Sequence, residues 1–291
     1  MKKKSVLLWI LTAAVFCAGA LLALTIWKSL PYMTDSEDPE LVIRATESTP
    51  PTEYTEPVLI PEPEKNPYGP NDFQFDGRYL KSLRCESIPG IDVSAYQGNV
   101  NWNQVAASGI EFAMVRVGYR GYGSGKIVED PYGRENLRDA RLAGLDVGAY
   151  FFSQALNEEE VEEEVAFILD IIKDYEITMP VVFDWEYISD TARTAGMDPR
   201  TLTDLNLYYC ELMEEAGYQP MIYFNSFQAR DLLYLYELED HPFWLAYYNY
   251  RMKYAYRFEM WQYTATGRVP GIKGDVDINI LLLDQELRPG A

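Results

Sequence analysis

From about residue 88 to the end, short apolar runs alternate with amphipathic stretches, and no other feature of the chain restricts its fold as strongly. The apolar runs are Gly90–Ser94, Phe112–Tyr119, Val147–Phe152, Pro180–Asp184, Pro220–Phe224, Phe243–Tyr247, Glu259–Gln262 and Val276–Ile280. Between the early runs, helical spacing covers Asn101–Ser108, Tyr132–Ala143, Glu158–Tyr175 and Thr201–Ala216. Gly109, Gly144 and Gly217 follow three of these stretches, where helices end. Asn157 and Thr201 are expected helix N-caps, and Glu158, Glu159 and Glu160 suit a first helical turn. Strands alternating with helices imply a parallel sheet with helices outside it. About eight strands in about 200 residues favour an α/β barrel of the TIM-like kind over an open sheet. The last strands are joined by segments too short for full helices, so the barrel is expected to be irregular.

In such barrels the chemistry gathers at the C-terminal strand ends, so carboxylates at the exits of apolar runs are the candidates. Three segments qualify: Gly90-Ile91-Asp92-Val93-Ser94, Pro180-Val181-Val182-Phe183-Asp184-Trp185-Glu186 and Gly274-Asp275-Val276-Asp277-Ile278-Asn279. Asp184 and Glu186 are two residues apart on an extended segment, so both face one side while Trp185 faces the other. Repulsion and partial burial raise the pKa of one of them, leaving a protonated carboxyl beside an ionised one. That pairing is the machinery of glycosidic bond cleavage.

Composition narrows the chemistry further. The 291 residues carry 25 Lys+Arg against 45 Asp+Glu, a net charge of −20, which disfavours a nucleic-acid partner. A single histidine, His241, and three scattered cysteines do not build a zinc site, so neither metal nor cofactor is expected. His241 precedes Pro242 in an acidic loop and is expected to be exposed. Proton transfer is therefore assigned to carboxylates.

The charge is unevenly distributed: +4 over residues 1–32, −9 over 33–76 and −15 over the remainder. Residues 1–4 form a basic tip, and the 23 residues from Ser5 to Trp27 carry no charge, long enough to cross the ~30 Å of a bilayer core. Lys2, Lys3 and Lys4 place the N-terminus in the cytoplasm and the rest outside the cell membrane. An uncleaved anchor over 5–27 is expected, although Ala18-Gly19-Ala20 resembles a signal-peptidase site. Residues 28–87 are expected to form an acidic extracellular linker, since nine of the 17 prolines fall between Pro31 and Pro70. Residues 88–291 then form the barrel. Cys85 and Cys210 would both be extracellular, which leaves a disulfide between them open.

The stretch Gly90-Ile91-Asp92-Val93-Ser94-Ala95-Tyr96-Gln97-Gly98, followed by Asn101-Trp102, resembles the opening strand of glycoside hydrolase family 25 muramidases. The resemblance continues in order through Phe112–Arg116, Gly148–Phe152, Phe183–Glu186, Pro220–Tyr223, Trp244–Tyr248 and Trp261–Tyr263, and closes with Val276–Asn279. It implies an irregular, flattened β/α barrel that cuts the β-1,4 bond between N-acetylmuramic acid and N-acetylglucosamine in peptidoglycan. Carried across by position, the catalytic acid is Glu186, its partner carboxylate Asp184, and the supporting aspartates Asp92 and Asp277. Asp184 would stabilise charge at the anomeric carbon or orient the 2-acetamido group.

Flat rings pack on pyranose faces, and Tyr96, Tyr119, Tyr150, Tyr223, Tyr248 and Trp261 stand at strand exits or within the matched motifs; Asn225 follows Tyr223. These seven are the expected glycan-binding residues. The expected partners are peptidoglycan strands and the membrane, with the protein a monomer. A non-catalytic glycan-binding module or a wall-associated scaffold is the alternative, and the four carboxylates argue against it.

Overall fold

A strand covered on both faces must be apolar at nearly every position, and Val181–Trp185 is buried throughout. The computed structural model describes residues 61–283, and this strand lies mid-way round a closed ring. The expected anchor at 5–27 and most of the linker fall outside those residues. Among the described residues no helix is long and apolar enough to cross a membrane.

In chain order the strands are β1 (Phe73–Asp76), β2 (Tyr79–Ser82), β3 (Ser87–Val93), β4 (Phe112–Arg120), β5 (Ile127–Glu129), β6 (Asp146–Ser153), β7 (Val181–Trp185), β8 (Pro220–Asn225), β9 (Phe243–Ala246), β10 (Met260–Gly267) and β11 (Val276–Leu282). The ring runs β3-β4-β6-β7-β8-β9-β10-β11 and closes through β11 onto β3. All neighbours are parallel from β3 to β10, whereas β11 is antiparallel to both β10 and β3. Each of the eight expected strands is present, and β5 is an added antiparallel partner of β4.

The helices are α1 (Trp102–Ala107), α2 (Gly133–Leu142), α3 (Glu158–Ile172), α4 (Pro199–Glu215) and α5 (Ser226–Asp231). Asn157 caps α3 by accepting the Glu160 N–H at 3.0 Å. The cap of α4 is Asp198 rather than Thr201, which lies inside the first turn and donates its N–H to Asp198 at 3.1 Å. Pro199 at the first helical position explains the shift, because it lacks the N–H that a helix start leaves unpaired.

Alternate residues of each strand form two layers. The inner layer is Phe112, Met114, Val182, Met221, Trp244, Met260 and Leu281, low in the barrel. Two glycines make room for it: a Cβ on Gly90 would lie 2.2 Å from the Phe112 ring, and one on Gly148 2.5 Å from Met114 Cε. The outer layer packs under the helices.

No α-helix joins β9 to β10 or β10 to β11. The β1–β2 hairpin packs on their outer face instead. Phe73 meets Trp261 edge-on at 5.1 Å, and Tyr68 lies 6.2 Å from Phe258. Tyr68, Phe73, Tyr79 and Leu80 are all buried. The linker expected over 28–87 therefore ends earlier, and residues from 61 onward are part of the folded body. Its proline-rich, acidic composition hid four apolar residues that pack on strands lacking helices. Cys85 and Cys210 are both free thiols, Cys210 buried in α4 and Cys85 beside Ser82.

Candidate active site

The mouth of the barrel is the C-terminal end of the parallel strands, and four carboxyl groups converge there. Asp92 stands at the top of β3, Asp184 at the top of β7, and Glu186 just past it. Asp277 lies at the beginning of β11, not at its end. Because β11 runs antiparallel, its first residues reach the mouth, and Asp277 pairs directly with Asp92 in the ladder. Trp185 faces outward as the alternation requires, buried, with its indole donating to the Ala155 carbonyl at 3.3 Å.

Asp184 is buried and hydrogen-bonds Glu186, which is half-buried and open to the mouth. Burial, then the charges of Glu186 and Asp92, push Asp184 well above the usual carboxylate range, and the Arg116 guanidinium opposes the rise. Burial and the Asp92 charge push Glu186 up to about 7, and the hydrogen bond it accepts from Asp184 opposes the rise. A carboxyl–carboxyl hydrogen bond requires a proton, so the pair holds one between its members near neutral pH. Burial and then Asp92 push Asp277 to about 8. Asp92 itself reaches only about 6, because its amide partners Asn279 and Gln262 oppose the effect of burial.

Several structural residues fix this arrangement. Gln154, buried just past β6, donates to the carbonyl of Glu186 at 2.8 Å and accepts from the Thr194 hydroxyl at 2.9 Å. Gln228 of α5 donates to the Trp185 carbonyl. Arg116 is held by the buried Asp130 through Nε at 2.9 Å and Nη2 at 2.8 Å. Asp130 also accepts the Ala95 N–H at 3.0 Å, tying down the turn after β3.

Five of the seven expected glycan-binding residues meet at the mouth. Arg116 lies between the rings of Tyr96 and Tyr119, at 5.3 and 5.5 Å, with Tyr96 81% exposed on the rim. A register shift between Arg116 and Gly118 brings Tyr119 onto the same side as Arg116. Tyr150 and Tyr223 pack edge-on against Trp244 at 6.0 and 5.0 Å. Tyr248 donates its hydroxyl to Gln262 at 2.8 Å.

The other two do not belong to the groove. Trp261 is fully buried on the outer face, its indole donating to the Tyr247 carbonyl at 2.7 Å. Its neighbour Gln262 takes the inward position, so Trp261 must point out. Asn225 caps α5, its amide oxygen accepting the N–H groups of Phe227 and Gln228 at 3.0 and 3.1 Å. His241 is half-buried rather than exposed and lies 3.4 Å from Glu214, before β9 and so at the barrel base.

Arg116, Gln262, Asn279 and Trp244 lie within the matched motifs but had no role assigned to them, and Gln154 and Asp130 lie outside those motifs. The first three are polar residues inside apolar runs, and that interruption was the available signal. Tyr187 and Phe227, exposed and 5.8 Å apart edge-on, add a second aromatic wall beside Glu186.

The chain matches Glycosyl hydrolases family 25 over residues 91–272. It is 26% identical over 224 residues to Lysozyme M1 of Streptomyces globisporus, covering 70% of this chain and 71% of that protein. Among solved structures it is similar to the modular autolysin LytC from Streptococcus pneumoniae, with a TM-score of 0.60 and 26% identity over 72% of this chain. The match takes in about half (51%) of the autolysin's length. A family 25 glycosyl hydrolase from Bacillus anthracis shares the fold at a TM-score of 0.59 and 21% identity, covering 73% of this chain and 96% of that one.

Proposed function

The chain belongs to glycosyl hydrolases family 25 and is a glycosidase, and from that premise we propose that it hydrolyses the β-1,4 bond between N-acetylmuramic acid and N-acetylglucosamine in peptidoglycan. The observation that carries this reading is the placement of the carboxyls of Asp184 and Glu186 side by side at the barrel mouth, where burial raises the pKa of both. Glu186, the member that opens to the groove, gives its proton to the leaving glycosidic oxygen. Asp184 then faces the positive charge that develops at the anomeric carbon.

Asp184, buried beside that acid, is placed either to stabilise charge at the anomeric carbon or to orient the substrate's 2-acetamido group for attack on it. The tyrosines of the mouth supply stacking surfaces and hydroxyl donors for successive sugars.

The charge-free segment Ser5–Trp27 and the lysines before it support a single-pass anchor, with the barrel held outside the membrane on a short acidic tether. Peptidoglycan lies on that side. An enzyme fixed in this way trims or remodels wall within reach of its tether.

The test is release of reducing ends from purified peptidoglycan by the full chain, with Glu186→Gln as the paired control. Muramic-acid reducing ends are expected by mass spectrometry, with the rate lowered at least ~100-fold in the variant. Glucosamine reducing ends would assign the other glycosidic bond. A folded chain that binds glycan without cutting it would refute the reading.

A further inference from the structure

Asp92, at the end of β3, acts on the other three carboxyls of the mouth, and its surroundings dictate which of its atoms accepts. The chain of polarity begins at Trp244. An indole N–H can only donate, and Trp244 Nε1 lies 2.8 Å from Asn279 Oδ1. That contact turns the amide nitrogen of Asn279 toward Asp92, where it donates to Oδ2 at 2.8 Å. Gln262 Nε2 donates to the same oxygen at 2.8 Å, while its own Oε1 takes the hydroxyls of Tyr248 and Tyr223 at 2.8 and 3.2 Å. Trp244, Asn279 and Gln262 are all buried. Two N–H groups converging on one carboxylate oxygen leave no room for a proton there and favour the ionised form.

We propose that Trp244, Asn279 and Gln262 act as positioning residues that hold Asp92 ionised, and that its fixed charge keeps the Asp184–Glu186 pair protonated for catalysis. The inference rests on the reading of Glu186 as the acid. The groups that face Asp92 come from every strand packed around it. Asp184 and Glu186 come from β7 and its exit and Asp277 from β11. Tyr150, Tyr223 and Tyr248 come from β6, β8 and the segment after β9. The one cation of this set is Arg116 of β4, which acts on Asp184 and is already paired with Asp130. The amides of β10 and β11 are thus the groups that hold Asp92 itself.

The experiment is the pH profile of kcat/KM on peptidoglycan for the full chain, Asn279→Leu and Tyr248→Phe. Without the Asn279 donor, Asp92 takes up a proton and its push on Glu186 ends. The alkaline limb, where Glu186 loses its proton, should then fall by about one pH unit. Tyr248→Phe, a milder change at a half-buried ring, loosens the orientation of Gln262 and should move the limb the same way by less. A loss of activity that is equal at every pH, with the limb fixed in both variants, overturns the proposal. The carbon-13 titration of the Asp92 carboxyl, assigned through Asp92→Asn, should move to higher pH in Asn279→Leu whether or not the chain cuts glycan. An unmoved titration overturns the proposal as well. Absence of hydrolysis by the unaltered chain would strike the proposed function, and the Asp92 titration would then decide the role of the amides by itself.

Discussion

The base and the mouth of the barrel are built by the same strands, one inward residue apart, and their chemistry is opposite. On β3 the step runs from Gly90 to Asp92, on β4 from Met114 to Arg116 and on β6 from Gly148 to Tyr150. On β7 it runs from Val182 to Asp184, on β8 from Met221 to Tyr223 and on β10 from Met260 to Gln262. β11 makes the step backwards, from Leu281 through Asn279 to Asp277. The base is an apolar plug of methionines, aromatic rings and aliphatic side chains. The mouth crowds four carboxyls that repel one another. The plug holds the strands at fixed spacing, so the mouth cannot relax its repulsion by spreading. Function is thus placed where stability is given up, and the base and outer layers compensate.

The sharpest way to break the comparison is to neutralise the mouth. Glu186→Gln should abolish hydrolysis while raising the melting temperature at pH 8, because a repelling charge is removed from a recessed site. Parallel activity and thermal-unfolding measurements check both signs, and a variant that loses both would place Glu186 in the structural half. Next in size is the outer layer. Phe73→Ala, which strips the hairpin from Trp261, should cost about 3 kcal/mol in chemical denaturation. Met221→Leu in the base keeps its volume and should cost less than about 1.5 kcal/mol. Equal costs would mean that the hairpin is ornamental.

The legible part of this molecule was the part that repeats. All eight barrel strands and the first four helices announced themselves through periodicity, and Asp184 and Glu186 through a two-residue spacing that sets a common face. The hairpin was hidden because its apolar residues are few and lie in proline-rich, acidic sequence. Their partners, Trp261 and Phe258, become visible as uncovered surface only once the missing helices are known. Trp261 was misplaced for a related reason: position near a strand exit does not say which face a residue takes, whereas counting from Gln262 does. Asn225 could have been read as a cap, since Gln228 stands three residues on and closes a capping box. The Trp244–Asn279–Asp92 chain joins β9, β11 and β3, and only the ring closure brings them together.

A smaller effect concerns pH and stability. Glu186, Asp277 and Asp92 have folded values of about 7, 8 and 6, above the ~4 of an unfolded carboxyl. The folded state therefore binds more protons than the unfolded state between about pH 4 and 8, and stability falls as pH rises through that window. Below it the paired carboxylates with lowered values, such as Glu160 and Glu176, are lost instead. Maximum stability is expected near pH 5, and thermal unfolding at pH 5, 7 and 8 should show a decreasing series. Asp277→Asn should flatten the upper half of that series. A wild-type curve that is flat from pH 5 to 8 would mean that the mouth is wet enough to ionise freely.

The smallest expected effect lies on the rim, where the mouth meets solvent. Tyr187 and Phe227 form an exposed edge-to-face pair on one bank of the groove, and Tyr96 stands over Arg116 on the other. Each exposed ring offers one apolar face to a pyranose, a contribution of the order of 1 kcal/mol. Phe227→Ala should therefore raise KM for long glycan strands about fivefold with little change in kcat, since the ring binds ground state and transition state alike. Tyr96→Ala should act more strongly, because it also removes the surface over which Arg116 is stacked and so disturbs the cation that restrains Asp184. The two variants together separate a rim that only holds substrate from one that also tunes the carboxyls: a shift in the pH profile for Tyr96→Ala, and none for Phe227→Ala, is the expected difference. If both variants move only KM, Arg116 is held by Asp130 alone, and the boundary between binding and acid–base chemistry runs inside the mouth rather than along its rim.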